Sequence, residues 1–534
     1  MEKLIKFMRS RQGTVALLVL LLLATVVVRL PELRTVVQVA NVDGPKIFWY
    51  DETLSLFYAQ QSWGDFWRVI GFDTSPPLFY LLLWTWFWRF GFSGVAFLPM
   101  LFSVAGVAAV YFLGKEFFNK KVGLLAGLFF AVSPLAVDYS AELRAYSLLA
   151  LGAALAMLFW WRLVNEWRAR NFILYLLFAA MAAYSHYTAL ALIGEQAIMF
   201  QIVGRSWKKT LGVYAALFVI YLPQFFLFKR WGDFGAGDGS FTSLFERLFS
   251  HGGWNAFWQF WHSLIFGQAW VYTWWPYVSG LAVLSGLIWF VLKKVNDRVA
   301  ITLVGLLVLT AANLFALKFI YAPRYYIFLI PLFVVALAAA VIALRGRWQR
   351  SVALIVIMAI CLTAVFHNYK VSDDNAFLYY GPAFSDILWR EAKKGDLFLV
   401  DHANDILFQQ YYVKWPASRL AFGYPRRTTC VERGEPDRRL FMPVKNHLAS
   451  PVERWRYWDY NVMTEENVKL VDPLIAGRER VWFINYLPQA TSVQDPHGYL
   501  KAHLLKNLKA VKYYYFPEQD NGKQRVELIL FVAR

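Results

Sequence analysis

Cysteine is scarce in this 534-residue chain, with only Cys361 inside an apolar segment and Cys430 in a polar tail. Two thiols so placed give no disulfide framework and leave the redox compartment open. Eight histidines show no HExxH or comparable spacing, and no glycine-rich phosphate loop follows a strand-like run, so zinc-hydrolase and nucleotide-binding readings lack their motifs. Long-period repeats, heptads and low-complexity tracts are missing too, which sets aside solenoids and coiled coils. What the chain has in abundance is apolar surface. Hydrophobic residues make up 58% and aromatics 19%, and the mean hydropathy is +0.40, beyond a soluble globular chain. The class is a polytopic membrane protein. Its 24 tryptophans and 29 tyrosines suit interfacial belts, and its net charge of +18 suits Lys and Arg in cytoplasmic loops, so a basic total is no argument for nucleic acid.

Lys3, Lys6, Arg9 and Arg11 precede a first apolar run, Gly13 to Leu30, whose only charge is Arg29. The bias places the N-terminus in the cytoplasm; a cleaved signal peptide is the competing reading, with Gln38-Val39-Ala40 half meeting the cleavage pattern, but the run is long for its apolar core. Further apolar segments fall at 96–114, 122–137, 146–162, 171–185, 187–204, 210–228, 271–291, 299–317, 325–344 and 351–366. These lengths predict a mainly α membrane protein of about 11–13 transmembrane helices. Five basic clusters check the parity: Lys115 with Lys120 and Lys121, Arg162 with Arg168 and Arg170, Arg205 with Lys208 and Lys209, Lys293 with Lys294 and Arg298, and Arg345 with Arg347 and Arg350. All fall inside if residues 76–91 lie along the outer interface rather than crossing. The expected division is a membrane domain, 1–366, with outer loops 31–95 and 229–270, and an extracytoplasmic α/β domain, 367–534. Strand-like runs at 396–400, 480–485 and 526–532 and a helix-like run at 384–394 mark the latter.

Chemistry collects in the outward loops. Asp51 and Glu52 open the stretch from Trp49 to Leu78, beside Asp73, Pro76 and Pro77 and many aromatics. Ionised groups at a membrane edge point to function, although first-turn acids also serve as helix starts. Arg144 has a bland alternative, loop pairing with Glu142 or Asp138. Arg324 in Pro323-Arg324-Tyr325-Tyr326 is otherwise a snorkelling arginine, with Lys318 near it. His186 either bonds a substrate group or satisfies a helix end, and Asp73 is as readily a turn former as a catalytic acid. A transporter or flippase would carry its charges within the spans and an inverted repeat. Here the charges cluster at the outer edge.

The order of DE after the first span, D-x-x-PPL-F-Y at 73–80, LGKEFFNKK, SPLAVDYSAELRAYSLLAL and a late PRYY resembles the bacterial protein O-mannosyltransferase and lipid A aminoarabinose transferase group, which are GT-C glycosyltransferases. The resemblance covers most of residues 45–345. It implies transfer of one sugar from a polyprenyl-phosphate donor to an extracytoplasmic acceptor, in the inner or plasma membrane. Asp51 would be the general base and Glu52 would orient the acceptor, with the reverse assignment open. Arg144, Arg324 and Lys318 would hold the donor phosphate. Asp73, Asp138, Glu142, Tyr146, His186 and Tyr325 would line the substrate site. No cofactor is implied; a divalent ion between Asp51 and Glu52 or Asp138 is compatible with the residues but not called for by this group. An inactive assembly subunit of the same fold is a further alternative, which an intact Asp51, Arg144 and Arg324 disfavour.

Overall fold

The computed structural model describes residues 10–40, 50–70, 75–91, 94–204, 206–229, 251–267, 274–294, 323–374, 396–400, 420–424, 427–431, 467–487, 498–516 and 525–534, with a few isolated positions between them. Two compact units emerge. The first takes in Met1–Val37 and Asp73–Ser372, the second Gln38–Phe72 and Asp373–Arg534. Residues 38–72, which hydropathy assigns to the membrane domain, thus belong with the tail.

Helices are numbered along the chain. After α1 (Arg11–Ala40), α2 (Tyr50–Gln60) and α3 (Trp63–Ile70) belong to the second unit, and the first unit resumes with α4 (Leu78–Phe90). There follow α5 (Phe97–Phe117), α6 (Lys120–Ala131), the short α7 (Pro134–Asp138), α8 (Tyr146–Asn165), α9 (Ala169–Ser185), α10 (Ala189–Met199), α11 (Trp207–Lys229), α12 (His251–Phe266) and α13 (Trp275–Lys294). A 3-10 segment, Pro323–Leu329, leads into α14 (Ile330–Ala343), and α15 (Arg347–Asp374) closes the unit. Among the described residues five helices are long and apolar enough to cross a bilayer: Gln12–Leu30, Phe97–Phe117, Tyr146–Asn165, Arg324–Ala343 and Arg347–His367. The protein is a mainly helical, multi-pass membrane protein. The apolar stretch 299–317 lies largely outside the described residues, as do the outer loop 230–250 and most of 384–394.

Hydropathy runs straight through 122–137, yet the helix breaks there. Ser133 has φ −62 and ψ 123, an extended conformation, because the Pro134 ring excludes the helical region for the residue before it. The break leaves the Ala131 carbonyl at the end of α6 without its helical partner, and a charge from α1 takes it. Arg29, fully buried, donates to Ala131 O at 2.9 Å, Ala136 O at 3.5 Å and Ser103 Oγ at 2.9 Å. The helix-end dipole favours a cation at this point. The single charge of the first apolar run is therefore a staple among α1, α5 and the broken α6–α7.

Helices α5 and α6 form a hairpin, started by Asn119, whose side chain accepts from the Lys121 and Val122 amides at 2.9 and 3.1 Å. Small residues bring the backbones together, the usual device in lipid. A Cβ on Gly123 would stand 2.5 Å from the Tyr111 carbonyl oxygen, and one on Gly114 3.0 Å from the Gly123 Cα. Gly123→Ala is expected to cost about 1–3 kcal/mol by forcing the hairpin apart. Melting of the detergent-solubilised protein checks this against Gly212→Ala in α11, where a Cβ meets nothing within 4 Å. Equal melting of the two variants would refute the close packing.

Helix α4 is 13 residues long, about 20 Å, short of a bilayer crossing. It starts after the two prolines and stops at Gly91, whose φ of 70 suits only glycine well. Its buried side holds Phe79, Tyr80 and Leu83.

In the second unit α3 is two-faced. Phe66 and Ile70 are buried, while Trp63 and Trp67, one turn apart, are exposed, as interfacial tryptophans are. A six-stranded mixed sheet has the order β3-β2-β1-β4-β6-β5, with β1 (Leu397–Val400), β2 (Leu420–Tyr424), β3 (Arg427–Val431), β4 (Arg480–Leu487), β5 (Leu508–Phe516) and β6 (Arg525–Ala533). β1 runs parallel to both β2 and β4, and the remaining pairs are antiparallel. Alternate residues Val481, Phe483, Ile529 and Phe531 share one apolar core with Leu500 and Leu504 of α16 (Tyr499–Asn507). The opposite face buries Trp482, whose indole donates to Asp396 at 2.8 Å, and Arg480 lies 3.3 Å from the same carboxylate.

Candidate active site

The segment between α7 and α8 carries the densest set of candidates. Asp138 ends α7, half-buried; then a tight turn, with the Arg144 amide 2.7 Å from the Glu142 carbonyl, presents Arg144. That side chain is 8% exposed, so it is buried and not a surface arginine. Its Nη1 donates to the Tyr80 hydroxyl at 2.5 Å and its Nη2 to Ser75 Oγ at 3.3 Å. The guanidinium also lies 5.7 Å from the centre of the Tyr80 ring, a cation–π distance. The proline-rich turn and the start of α4 thus position an arginine from 64 to 69 residues away.

Around it the aromatics form a cluster. Tyr139 and Tyr146 meet edge to face at 5.0 Å, and Tyr146 stands 5.9 Å from His186 and 6.5 Å from Tyr325. His186 and Tyr325 are 5.2 Å apart. The Ser147 hydroxyl donates to the Tyr139 carbonyl at 2.7 Å, tying the turn to the first residues of α8. Buried Tyr139 has its phenol pushed well above the ordinary value, by burial first and then by the Glu142 and Asp138 carboxylates. It stays protonated. Arg324 comes from the 3-10 segment, with its guanidinium 5.3 Å from the Tyr325 ring centre. Behind it, Tyr326 is buried edge to face on Phe260 of α12 at 5.1 Å, so the segment is fixed from below. Arg144 and Arg324 both act electrostatically on Tyr146 and on His186. Two guanidiniums beside tyrosine rings over an aromatic floor are the kind of donor set that suits an oxyanion.

Six sequence candidates, Asp138, Glu142, Arg144, Tyr146, His186 and Tyr325, therefore share this neighbourhood with Arg324. Asp73 and Lys318 lie outside the described residues, and of Asp51 only the backbone, the second residue of α2, is described. Glu52 follows it and is buried, in the second unit. Among the described residues no three His, Cys, Asp or Glu side chains gather as a metal site. Tyr80, Ser75 and Tyr139 were not singled out from sequence. Tyr80 closes the D-x-x-PPL-F-Y run, and its place one turn after the prolines was the available signal.

The family described as dolichyl-phosphate-mannose-protein mannosyltransferase matches residues 74–231, which include Arg144, Tyr146 and His186. No curated protein matches the sequence. Among solved structures, ArnT from Cupriavidus metallidurans bound to undecaprenyl phosphate is similar at 13% identity and a TM-score of 0.55, over 97% of this chain and 98% of that one. The same protein in the apo state gives 12% identity and a TM-score of 0.56 over the same shares. The likeness establishes the fold, that of the GT-C membrane glycosyltransferases.

Proposed function

We propose that the protein transfers a single sugar from a polyprenyl-phosphate-linked donor to an extracytoplasmic acceptor. The observation that carries this reading is the pair Arg144 and Arg324, braced by Tyr80 and Tyr325 around Tyr146 and His186, in a fold shared with an undecaprenyl-phosphate-bound relative. In the reaction the acceptor hydroxyl or amine attacks the anomeric carbon and gives its proton to Asp51, while the bond from that carbon to the phosphate oxygen breaks. The leaving polyprenyl phosphate gains a negative charge, and Arg144, Arg324 and Lys318 stabilise it. Asp138 and Glu142 accept hydrogen bonds from sugar hydroxyls, Asp73 does the same from the proline-rich turn, and Tyr146 with Tyr325 lines the substrate side of the site. Glu52 orients the acceptor. The N-terminus and the basic clusters face the cytoplasm, and residues 367–534 lie on the outer side.

Mass analysis of envelope lipids, polysaccharides and secreted proteins, with and without this chain, tests the proposal. One acceptor class should lose a mass increment of a single sugar, and restoring the chain should restore it. An unchanged glycan complement together with altered sidedness of polyprenyl-linked lipids would replace transfer by transport.

A further inference from the structure

His186 is held in one protonation state. The residue ends α9, with its amide on the Ala182 carbonyl at 3.0 Å. The ring then folds back over the start of the next segment, where the Thr188 amide points at Nδ1 from 3.2 Å and Thr188 Oγ1 lies 2.9 Å from the same nitrogen. A backbone N–H can only donate, so Nδ1 must accept, and in a neutral ring the one proton is then on Nε2. The charged form is opposed by the surroundings. Burial first, then the charges of Arg144 and Arg324, push the imidazole down to about 3. From the packed elements the ring faces Tyr146 of α8 and Tyr325 of the 3-10 segment, and the charges of Arg324 and Arg144 act on it.

We propose that His186 is a binding residue for the donor phosphate, supplying a neutral Nε2–H hydrogen bond alongside those of the two arginines, its tautomer fixed by Thr188. The assignment rests on the reading of Arg144 and Arg324 given above. Phosphate, rather than a sugar hydroxyl, is the partner because both guanidiniums bear on this ring, so an anion they attract is brought to it. A third cation there would be repelled by the other two, whereas an uncharged donor adds a hydrogen bond without that cost. A ring kept neutral in this way would add no pH dependence to donor binding near neutrality.

Two substitutions separate this role from simple capping. Asn places its amide oxygen near the position of Nδ1, so H186N keeps the Thr188 contact and loses the distal donor; Gln places an N–H near Nε2, so H186Q does the reverse. With undecaprenyl phosphate as the probe and full-length protein in nanodiscs, H186N should bind about tenfold to a hundredfold more weakly, and H186Q within a few-fold of the native chain. Intact binding by H186N with loss in H186Q would overturn the proposal and leave a helix cap. Imidazole nitrogen NMR of histidine-labelled native protein needs no variant: the His186 signals should stay those of the Nε2–H form from about pH 5 to about pH 8. Titration in that window, or a proton on Nδ1, also overturns it. If Arg144→Ala and Arg324→Ala bind the probe normally, the phosphate reading itself has failed. If only the histidine variants do, that reading stands and the role of His186 falls.

Discussion

Arg324→Ala removes donor use almost completely, with kcat/KM falling by roughly two to three orders of magnitude, while Arg324→Lys loses less. The expectation follows from what a guanidinium does for a phosphate. Its planar fork gives two parallel charge-assisted hydrogen bonds where an ammonium gives a point charge. Loss of one partner of a partly desolvated charge pair costs about 2–5 kcal/mol or more, and the loss is larger as the leaving phosphate gains charge. The Arg324 guanidinium lies over the Tyr325 ring at 5.3 Å, so the side chain is already ordered when the donor arrives. Arg144→Ala should act in the same direction, but Arg144 also bonds Tyr80 and Ser75, so Tyr80→Phe is its control. That variant removes a hydrogen bond to the guanidinium and keeps the ring beneath it. Turnover at saturating acceptor, with donor concentration varied and membrane levels matched, is the measurement. Unchanged transfer in both alanine variants would move the phosphate site to Lys318 or elsewhere.

Asp51→Asn lowers transfer by roughly a hundredfold or more, because the amide preserves size and much of the hydrogen-bonding shape but cannot accept the acceptor's proton. Donor binding survives in that variant, since the carboxylate serves the acceptor and not the lipid phosphate. Glu52→Gln costs less. A turnover assay beside a binding assay for undecaprenyl phosphate separates the two effects. Should Asp51→Asn keep near-normal transfer while Glu52→Gln abolishes it, the roles are exchanged. Should neither matter, the base is not in α2.

Much of the architecture is legible in the sequence wherever one local pattern decides the outcome. The runs at 480–485 and 526–532 predict two strands of the sheet, because there the alternation of residues matches the two faces of a buried strand. β5 escapes the same reading. Its lysines and its three consecutive tyrosines, Tyr513 to Tyr515, give neither a continuous apolar run nor a clear alternation, and pairing with β6 decides the matter instead. The broken helix at Ser133 is missed for a different reason: hydropathy sums side chains and is blind to the backbone angle that Pro134 forces. At the site, charged and titratable residue types draw attention from sequence, so Arg144, Arg324 and His186 stand out. Their supports do not. Tyr80, Ser75 and Thr188 become partners only through the fold, and nothing in a serine or a threonine read alone marks it as the group that orients an arginine or selects a tautomer.

The Arg29 staple has a bearing on how the chain enters the membrane. Arg29 stands at the end of its apolar span, Gln12–Leu30, where an arginine can ordinarily snorkel to the headgroups, yet here it is buried and its hydrogen-bond partners include, beside the Thr25 carbonyl of its own helix, residues 103, 131 and 136. During synthesis those residues emerge only after the first span has left the ribosome, so these hydrogen bonds form only once α5 and α6 have been made. The hydrogen bonds of Arg29 therefore belong to the assembled helices and not to the first span alone.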